Sequence, residues 1–238
     1  MKLSIIIPVY NEEKTIGEII KRVNKVEIPG ITKEIIVVDD GSTDATWSTI
    51  NKQLTINNKL KILQHRKNLG KGAAVRTGIK NASGNYIIIQ DADLEYNPND
   101  IPKLVEPIEK GIAQGVYGTR LRRLPNFSRD ERTLRFFIHY VGNRLLSLLT
   151  SILYGQWITD METGYKVFPK NALDKIKLHS KSFDFEPEIT AKLLKSGYKI
   201  LEVPITTVPR GYEEGKKLDT VRDGVIALWT LIKYRLID

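Results

Sequence analysis

The chain has 238 residues, 41% of them hydrophobic and 27% charged, with no cysteine. That length and balance suit one large globular domain or two small ones, and exclude a disordered tail, a collagen-like chain and a disulfide scaffold. A formal net charge of +9, from 37 Lys and Arg against 28 Asp and Glu, creates a field that attracts phosphates of nucleic acid, anionic lipid or a phosphorylated substrate.

The opening apolar run is interrupted by Pro8 and followed at once by Asn11-Glu12-Glu13, which reads as a strand, Ser4–Val9, rather than a secretory signal. Further Val/Ile-rich runs follow at Glu34–Asp39, Leu60–Gln64 and Tyr86–Gln90, with a weaker fifth at Val116–Thr119. Helical segments separate them near Lys14–Lys25, Asp44–Leu54, Gly72–Asn81 and Asp100–Lys110. Nearly continuous apolar strands alternating with helices predict an α/β fold with a mostly parallel sheet covered on both faces. Ligands of such sheets bind beyond the carboxyl ends of the strands. Tyr10-Asn11-Glu12, Asp39-Asp40-Gly41-Ser42 and Asp91-Ala92-Asp93 lie there, after the first, second and fourth strands.

The second half is predicted to hold a long amphipathic segment from Asp130 to Leu153, a polar turn at Thr159–Gly164 and a helix at Phe185–Ser196. A strand at Lys199–Val203, a basic loop at Arg210–Lys217 and a last amphipathic helix at Thr220–Leu236 complete it. No Gly-, Ser- or Pro-rich linker separates the halves, so one domain over 1–238 is expected. No run of about 18 uncharged apolar residues occurs, so no bilayer-spanning helix is expected.

Asp91 and Asp93 alternate at the end of an apolar strand, where two carboxylates repel each other unless a cation sits between them. Hard oxygen ligands suit Mg²⁺ or Mn²⁺ bridging to substrate phosphates, and Glu95 offers a third oxygen. Asp40 is placed to accept hydrogen bonds from a nucleobase or ribose, while Ser42, Thr43 and Asp44 are cap formers for the helix that follows. Asn68–Arg76 is a glycine-bearing loop opening a helix, and matches neither the kinase phosphate loop nor the dinucleotide fingerprint.

Together with Ile6–Glu12 and Val37–Asp44, these motifs resemble family 2 inverting glycosyltransferases of GT-A fold. Gly118-Thr119-Arg120, Asp160–Lys166 and Val203–Lys217 resemble the polyprenyl-phosphate branch, the dolichyl-phosphate mannose synthases and glucosyltransferases. The resemblance implies that Pro8, Tyr10, Glu12, Asp39, Asp40, Lys71 and Arg76 bind the nucleotide, and that Asp91, Asp93 and Glu95 hold the metal. Arg120, Arg135, His139, Arg210, Lys216 and Lys217 are implied at the acceptor phosphate, and the single domain is implied to have a nucleotide-sugar half (1–120) and an acceptor half (121–238). The chain departs from the pattern at His139-Tyr140, where the family often has Ser-Arg, and at Lys216-Lys217, where it usually has Ser-Lys.

The activity so implied is transfer of a hexose, mannose or glucose, from a GDP- or UDP-sugar to a polyprenyl phosphate at the cytoplasmic face of a membrane. Such an acceptor is already anionic and needs no strong base. An alternative is a saccharide hydroxyl acceptor with Asp160 as the base. A basic membrane- or nucleic-acid-binding module is a more distant one. Nucleic acid is not an expected partner, because no helix-turn-helix, RNA-binding or zinc-finger motif is present. A run of arginines from Arg120 to Arg135 beside apolar Phe136–Leu149 suits peripheral attachment to anionic headgroups.

Overall fold

The computed structural model describes residues 1–54, 60–120, 134–208 and 220–237. Its elements run β1 (Lys2–Val9), α1 (Ile16–Lys25), β2 (Thr32–Asp39), α2 (Thr46–Leu54), β3 (Leu60–Gln64), α3 (Lys71–Asn81), β4 (Tyr86–Ile89) and α4 (Ile101–Glu109). Then follow β5 (Gly115–Thr119), α5 (Leu134–Tyr154), β6 (Lys166–Pro169), α6 (Phe185–Lys195), β7 (Ile200–Pro204) and α7 (Thr220–Leu236). The strands form a seven-stranded sheet in the order β3-β2-β1-β4-β6-β5-β7. All neighbouring pairs are parallel except those of β6, which runs antiparallel to β4 and β5.

Period-two alternation sorts the aliphatic residues to the two faces of the sheet. Ile5, Ile7, Val9, Ile35 and Val37 join Ile16, Ile19, Ile20 and Val23 of α1 and Leu104 of α4 in one cluster. Ile6, Ile36 and Val38 face the other way, toward Ala74 and Val75 of α3, Ile189 and Leu193 of α6 and Leu231 of α7. Each cluster draws side chains from both halves of the chain, because the strands of the second half complete the same sheet.

β6 is absent from the sequence-based expectation. Its four residues, Lys-Val-Phe-Pro, include a lysine and a proline and carry no alternating signal. Slotted between β4 and β5, it is nevertheless completely buried. The four helices of the first half start a residue or two from expectation, α6 and α7 start as expected, and residues 130–133 of the expected amphipathic segment lie outside the described residues. α1 begins at Ile16 because the preceding residues form a turn in which the Thr15 and Ile16 N–H groups donate to the Glu12 carbonyl.

Candidate active site

β1, β2, β4 and β5 are co-directional, so their carboxyl ends deliver Tyr10, Asp40, Asp91 and Arg120 to one edge of the sheet. A cavity of about 460 Å³ opens there, lined by Pro8, Tyr10, Glu12, Asp40, Lys71, Asp91, Asp93, Glu95, Arg120 and His139 among others. Ten of the sequence-derived site residues therefore share one space. Two turns at its rim hold non-glycine residues in the left-handed region, Asn11 (φ 50°) and Leu94 (φ 65°), a conformation that surrounding contacts must enforce.

The β1 and β2 turns are laced together. Asn11 N–H donates to Ser42 Oγ at 3.0 Å, Thr43 N–H to Asn11 Oδ1 at 2.8 Å and Glu12 N–H to Thr46 Oγ1 at 2.8 Å. The expected capping of α2 falls to Asp44 alone, whose Oδ1 accepts the Thr46 N–H, whereas Ser42 and Thr43 serve the neighbouring turn.

Two of the implied nucleotide residues lie elsewhere. Asp39 is fully buried, and its oxygens accept from the Ser42 N–H and the Gln64 side chain. It precedes Asp40 in extended backbone and so points to the opposite face. Arg76 reaches the Leu178 carbonyl at 3.3 Å, because five residues from Lys71 carry it about 140° round α3. Asp40 borders the cavity, but its carboxylate is spent on the protein. It accepts the Leu69 and Gly70 N–H groups and lies 2.6 Å from His65 Nδ1, which fixes the loop that opens α3. That loop depends on Gly70 (φ 95°), where a Cβ would come within 2.1 Å of the Lys181 carbonyl oxygen.

Lys71 is anchored by this loop with its Nζ 2.8 Å from both Asp91 Oδ1 and Glu186 Oε1. Burial works against its charge, but the two carboxylates win and hold its pKa above the ordinary value. Burial, then the charges of Asp91 and Glu95, push Asp93 up to about 7. A carboxylate so disfavoured as an anion is one that an added cation would relieve, so Asp91 and Asp93 fit a hard divalent ion. No three acidic or histidine side chains among the described residues form a cage for one. Glu95, expected as a third ligand, therefore does not complete a cage with Asp91 and Asp93, and an ion held by the two aspartates would need further oxygens from phosphate or water.

Asp160 is wholly buried and does not border the cavity. It accepts Arg120 Nε–H at 2.8 Å, an Arg120 Nη2–H at 2.8 Å, the Arg120 backbone N–H at 2.9 Å and Asn143 Nδ2–H at 3.1 Å. Burial alone would raise its pKa, but the Arg120 guanidinium and these hydrogen bonds keep it below the usual carboxylate range. With both oxygens occupied, it orients Arg120 and is unsuited to the base role weighed above. Glu202 backs it by accepting the Thr159 and Asp160 N–H groups. The Arg120 guanidinium also lies over the Tyr96 ring, itself stacked on Tyr165.

Glu162, two residues on, does border the cavity, and its Oε1 has no hydrogen-bond partner among the described residues. Burial, then the charge of Glu186, pushes it up to about 8. Fully buried Lys166 shapes this turn by donating to the Met161 and Thr163 carbonyls, and burial lowers its pKa to about 8. Gly164 closes the turn against the carboxyl end of β4, where a Cβ would lie 2.5 Å from Asp91 Oδ2. Glu162, Glu186 and Tyr96 had no assigned role at the sequence level. An acidic residue in the first turn of α6 is indistinguishable there from one that merely favours the helix dipole. The Arg135 side chain, Arg210, Lys216 and Lys217 lie outside the described residues.

The pattern of Glycosyl transferase family 2 matches residues 4–177, and the chain belongs to that family. It is 32% identical over 238 residues to a dolichol-phosphate mannosyltransferase of Pyrococcus furiosus, covering 98% of this chain but 64% of that protein. It is also 32% identical over 226 residues to a UDP-N-acetylglucosamine–dolichyl-phosphate N-acetylglucosaminyltransferase of Methanococcus voltae, covering 87% and 86% of the two. Against a dodecaprenyl-phosphate galacturonate synthase of Rhizobium johnstonii the identity is 29%, over 87% of this chain and 59% of the relative. The fold matches that of glucosyl-3-phosphoglycerate synthase from Mycobacterium tuberculosis, solved with Mn²⁺, UDP and glucosyl-3-phosphoglycerate. The TM-score is 0.72 at 20% identity, over 100% of this chain and 81% of that one, so the expected GT-A architecture is present.

Proposed function

We propose that the chain transfers a hexose-class sugar from a GDP- or UDP-sugar to a polyprenyl phosphate, with inversion, on a membrane surface. The observation that carries this reading is Arg120, held from behind by buried Asp160, facing the same cavity as Asp91 and Asp93. The bidentate grip fixes the guanidinium plane and leaves further N–H donors of the same fork for a phosphate. Three relatives, whose names specify dolichol phosphate, dolichyl phosphate and dodecaprenyl phosphate, support the same acceptor class.

An acceptor phosphate oxygen would attack the anomeric carbon as the bond to the nucleoside diphosphate breaks on the opposite face. The acceptor carries its negative charge already, so no proton has to be removed. Catalysis then rests on alignment and on neutralising charge. Asp91 and Asp93 would hold Mg²⁺ or Mn²⁺, which neutralises charge on the departing diphosphate when bound. Arg120, with its orientation set by Asp160, would align the acceptor against repulsion from the acidic wall.

A membrane location is supported by one stripe of α5. Ile138, Val141, Leu145, Leu148 and Ile152, at helical spacing, are all exposed. His139, on the same helix, borders the cavity, so the stripe runs beside its mouth. No helix of the described residues is long and apolar enough to cross a membrane. The exposed stripe suits a helix lying on the membrane surface, at the cytoplasmic face in this reading.

A saccharide hydroxyl acceptor is the second reading, favoured by the Glu162 oxygen that has no partner among the described residues, a carboxyl placed to act as base instead of Asp160. The deciding experiment offers a panel of nucleotide sugars with a short polyprenyl phosphate and follows the lipid by mass spectrometry. A glycosylated lipid phosphate is expected, and Glu162→Gln should lower its formation by less than about tenfold. Loss of a required base would instead cost about 10²- to 10⁴-fold. No lipid product from any donor would overturn the proposal.

A further inference from the structure

The cation that meets Asp91 in this structure belongs to the chain itself. Lys71 Nζ lies 2.8 Å from Asp91 Oδ1 and 2.8 Å from Glu186 Oε1, with the lysine side chain 18% and Glu186 7% exposed. The lysine backbone cannot yield, because Gly70 beside it is wedged against the Lys181 carbonyl and its loop is held by Asp40. The Nζ, at the end of four methylenes, is free to change partners. Glu186 gives it a second anchor, so it can leave Asp91 without becoming an unpaired buried charge.

We propose that Lys71 is a tethered counter-cation that competes with the divalent ion for Asp91, so that metal and nucleotide bind cooperatively. A divalent ion entering alone must break a buried charge-assisted contact and then tolerate an ammonium alongside it. A nucleotide in the cavity offers Lys71 oxygen acceptors of its own, which draws the lysine off Asp91 and vacates the carboxylate for the metal. By linkage, the metal must strengthen nucleotide binding by the same factor. Lys71 thus becomes a positioning residue that delays metal capture until donor is present. The inference rests on the reading of Asp91 and Asp93 as metal ligands.

The test is Mn²⁺ binding to chelator-treated protein, followed by the electron paramagnetic resonance signal of free Mn²⁺, alone and with saturating UDP or GDP. Wild type should bind Mn²⁺ weakly by itself and more tightly with the matching nucleotide, by about 5- to 150-fold as couplings usually run. Lys71→Met should bind Mn²⁺ alone more tightly by a similar factor and gain little further from nucleotide. Its melting temperature should be lower in chelator and recover with Mn²⁺ alone. Lys71→Arg, which keeps the charge, should behave nearly as wild type. Lys71→Gln carries the same expectation as Lys71→Met if the latter does not fold. Equal coupling in wild type and the uncharged variants would overturn the competition while leaving the metal site standing. Failure of every variant, wild type included, to bind Mn²⁺ with either nucleotide would overturn the metal reading and this inference with it.

Discussion

Asp160 illustrates how partners decide the use of a buried carboxylate. Two residues apart in one turn, Asp160 is saturated by Arg120 and Asn143 while Glu162 keeps an oxygen with no partner among the described residues. Their pKa values part accordingly, Asp160 low and Glu162 up to about 8. Replacing Asp160 by Asn removes the charge that compensates Arg120 and leaves a buried cation, a change that typically costs about 3–5 kcal/mol. Asp160→Asn should therefore lower the melting temperature markedly and weaken acceptor use through a displaced Arg120. The pH profile of its residual transfer should match that of wild type. Loss of an acidic limb in that profile would mean that Asp160 takes a proton after all.

Between elements, polar staples hold together what apolar burial alone would leave able to slide. Glu34 on β2 accepts hydrogen bonds from Ser4 of β1 and from the Ser83 N–H (2.6 Å), Ser83 hydroxyl (2.7 Å) and Gly84 N–H (3.1 Å) just before β4, and pairs with Lys2. Burial opposes its ionisation, but the bonds from Ser4 and Ser83 outweigh it and lower its pKa from 4.5 to about 2. A pKa depressed on folding contributes stability above the unfolded value, lost as pH falls through the folded one. Wild type should thus lose stability from about pH 4.5 down to about pH 2. Glu34→Gln should be less stable by about 1 kcal/mol at neutral pH, a figure discounted for partial exposure, and indistinguishable near pH 2. Denaturant melts across that range test it, and parallel curves for the two proteins would remove Glu34 from the account.

At the scale of the whole molecule, basic charge and exposed apolar surface complement each other. The net charge is +9, and α7, packed against α5, exposes Val225, Leu228 and Trp229 alongside the α5 stripe. Large apolar side chains clustered on two packed helices mark an interaction face. Anionic vesicles should bind the protein and release it partly at about 1 M salt, where the Debye length is about 3 Å. Leu145→Glu combined with Trp229→Glu should abolish vesicle binding while leaving nucleotide affinity unchanged. Unaltered flotation of that double variant would assign the membrane contact to another surface.

The strand and helix order of the first half was legible in the residues because parallel strands buried on both faces write themselves as unbroken aliphatic runs. The strand-end clusters were legible for the same reason, since polar residues have only the open edge of such a sheet to occupy. Asp91 and Asp93 could thus be assigned from sequence to the edge where the cavity opens. Local pattern could not show which oxygens remain unused. Asp39 and Asp40 look equivalent in sequence, yet alternation sends one to Gln64 and the other to the loop before α3. Asp160 and Glu162 differ by a guanidinium arriving from forty residues away. Lys71 meets Glu186 across more than a hundred residues, and β6 exists only because β4 and β5 offer it two edges. Composition and periodicity carry the burial pattern, which each residue expresses locally. Protonation, pairing and orientation depend on partners distant in the chain, and only the tertiary structure brings these together.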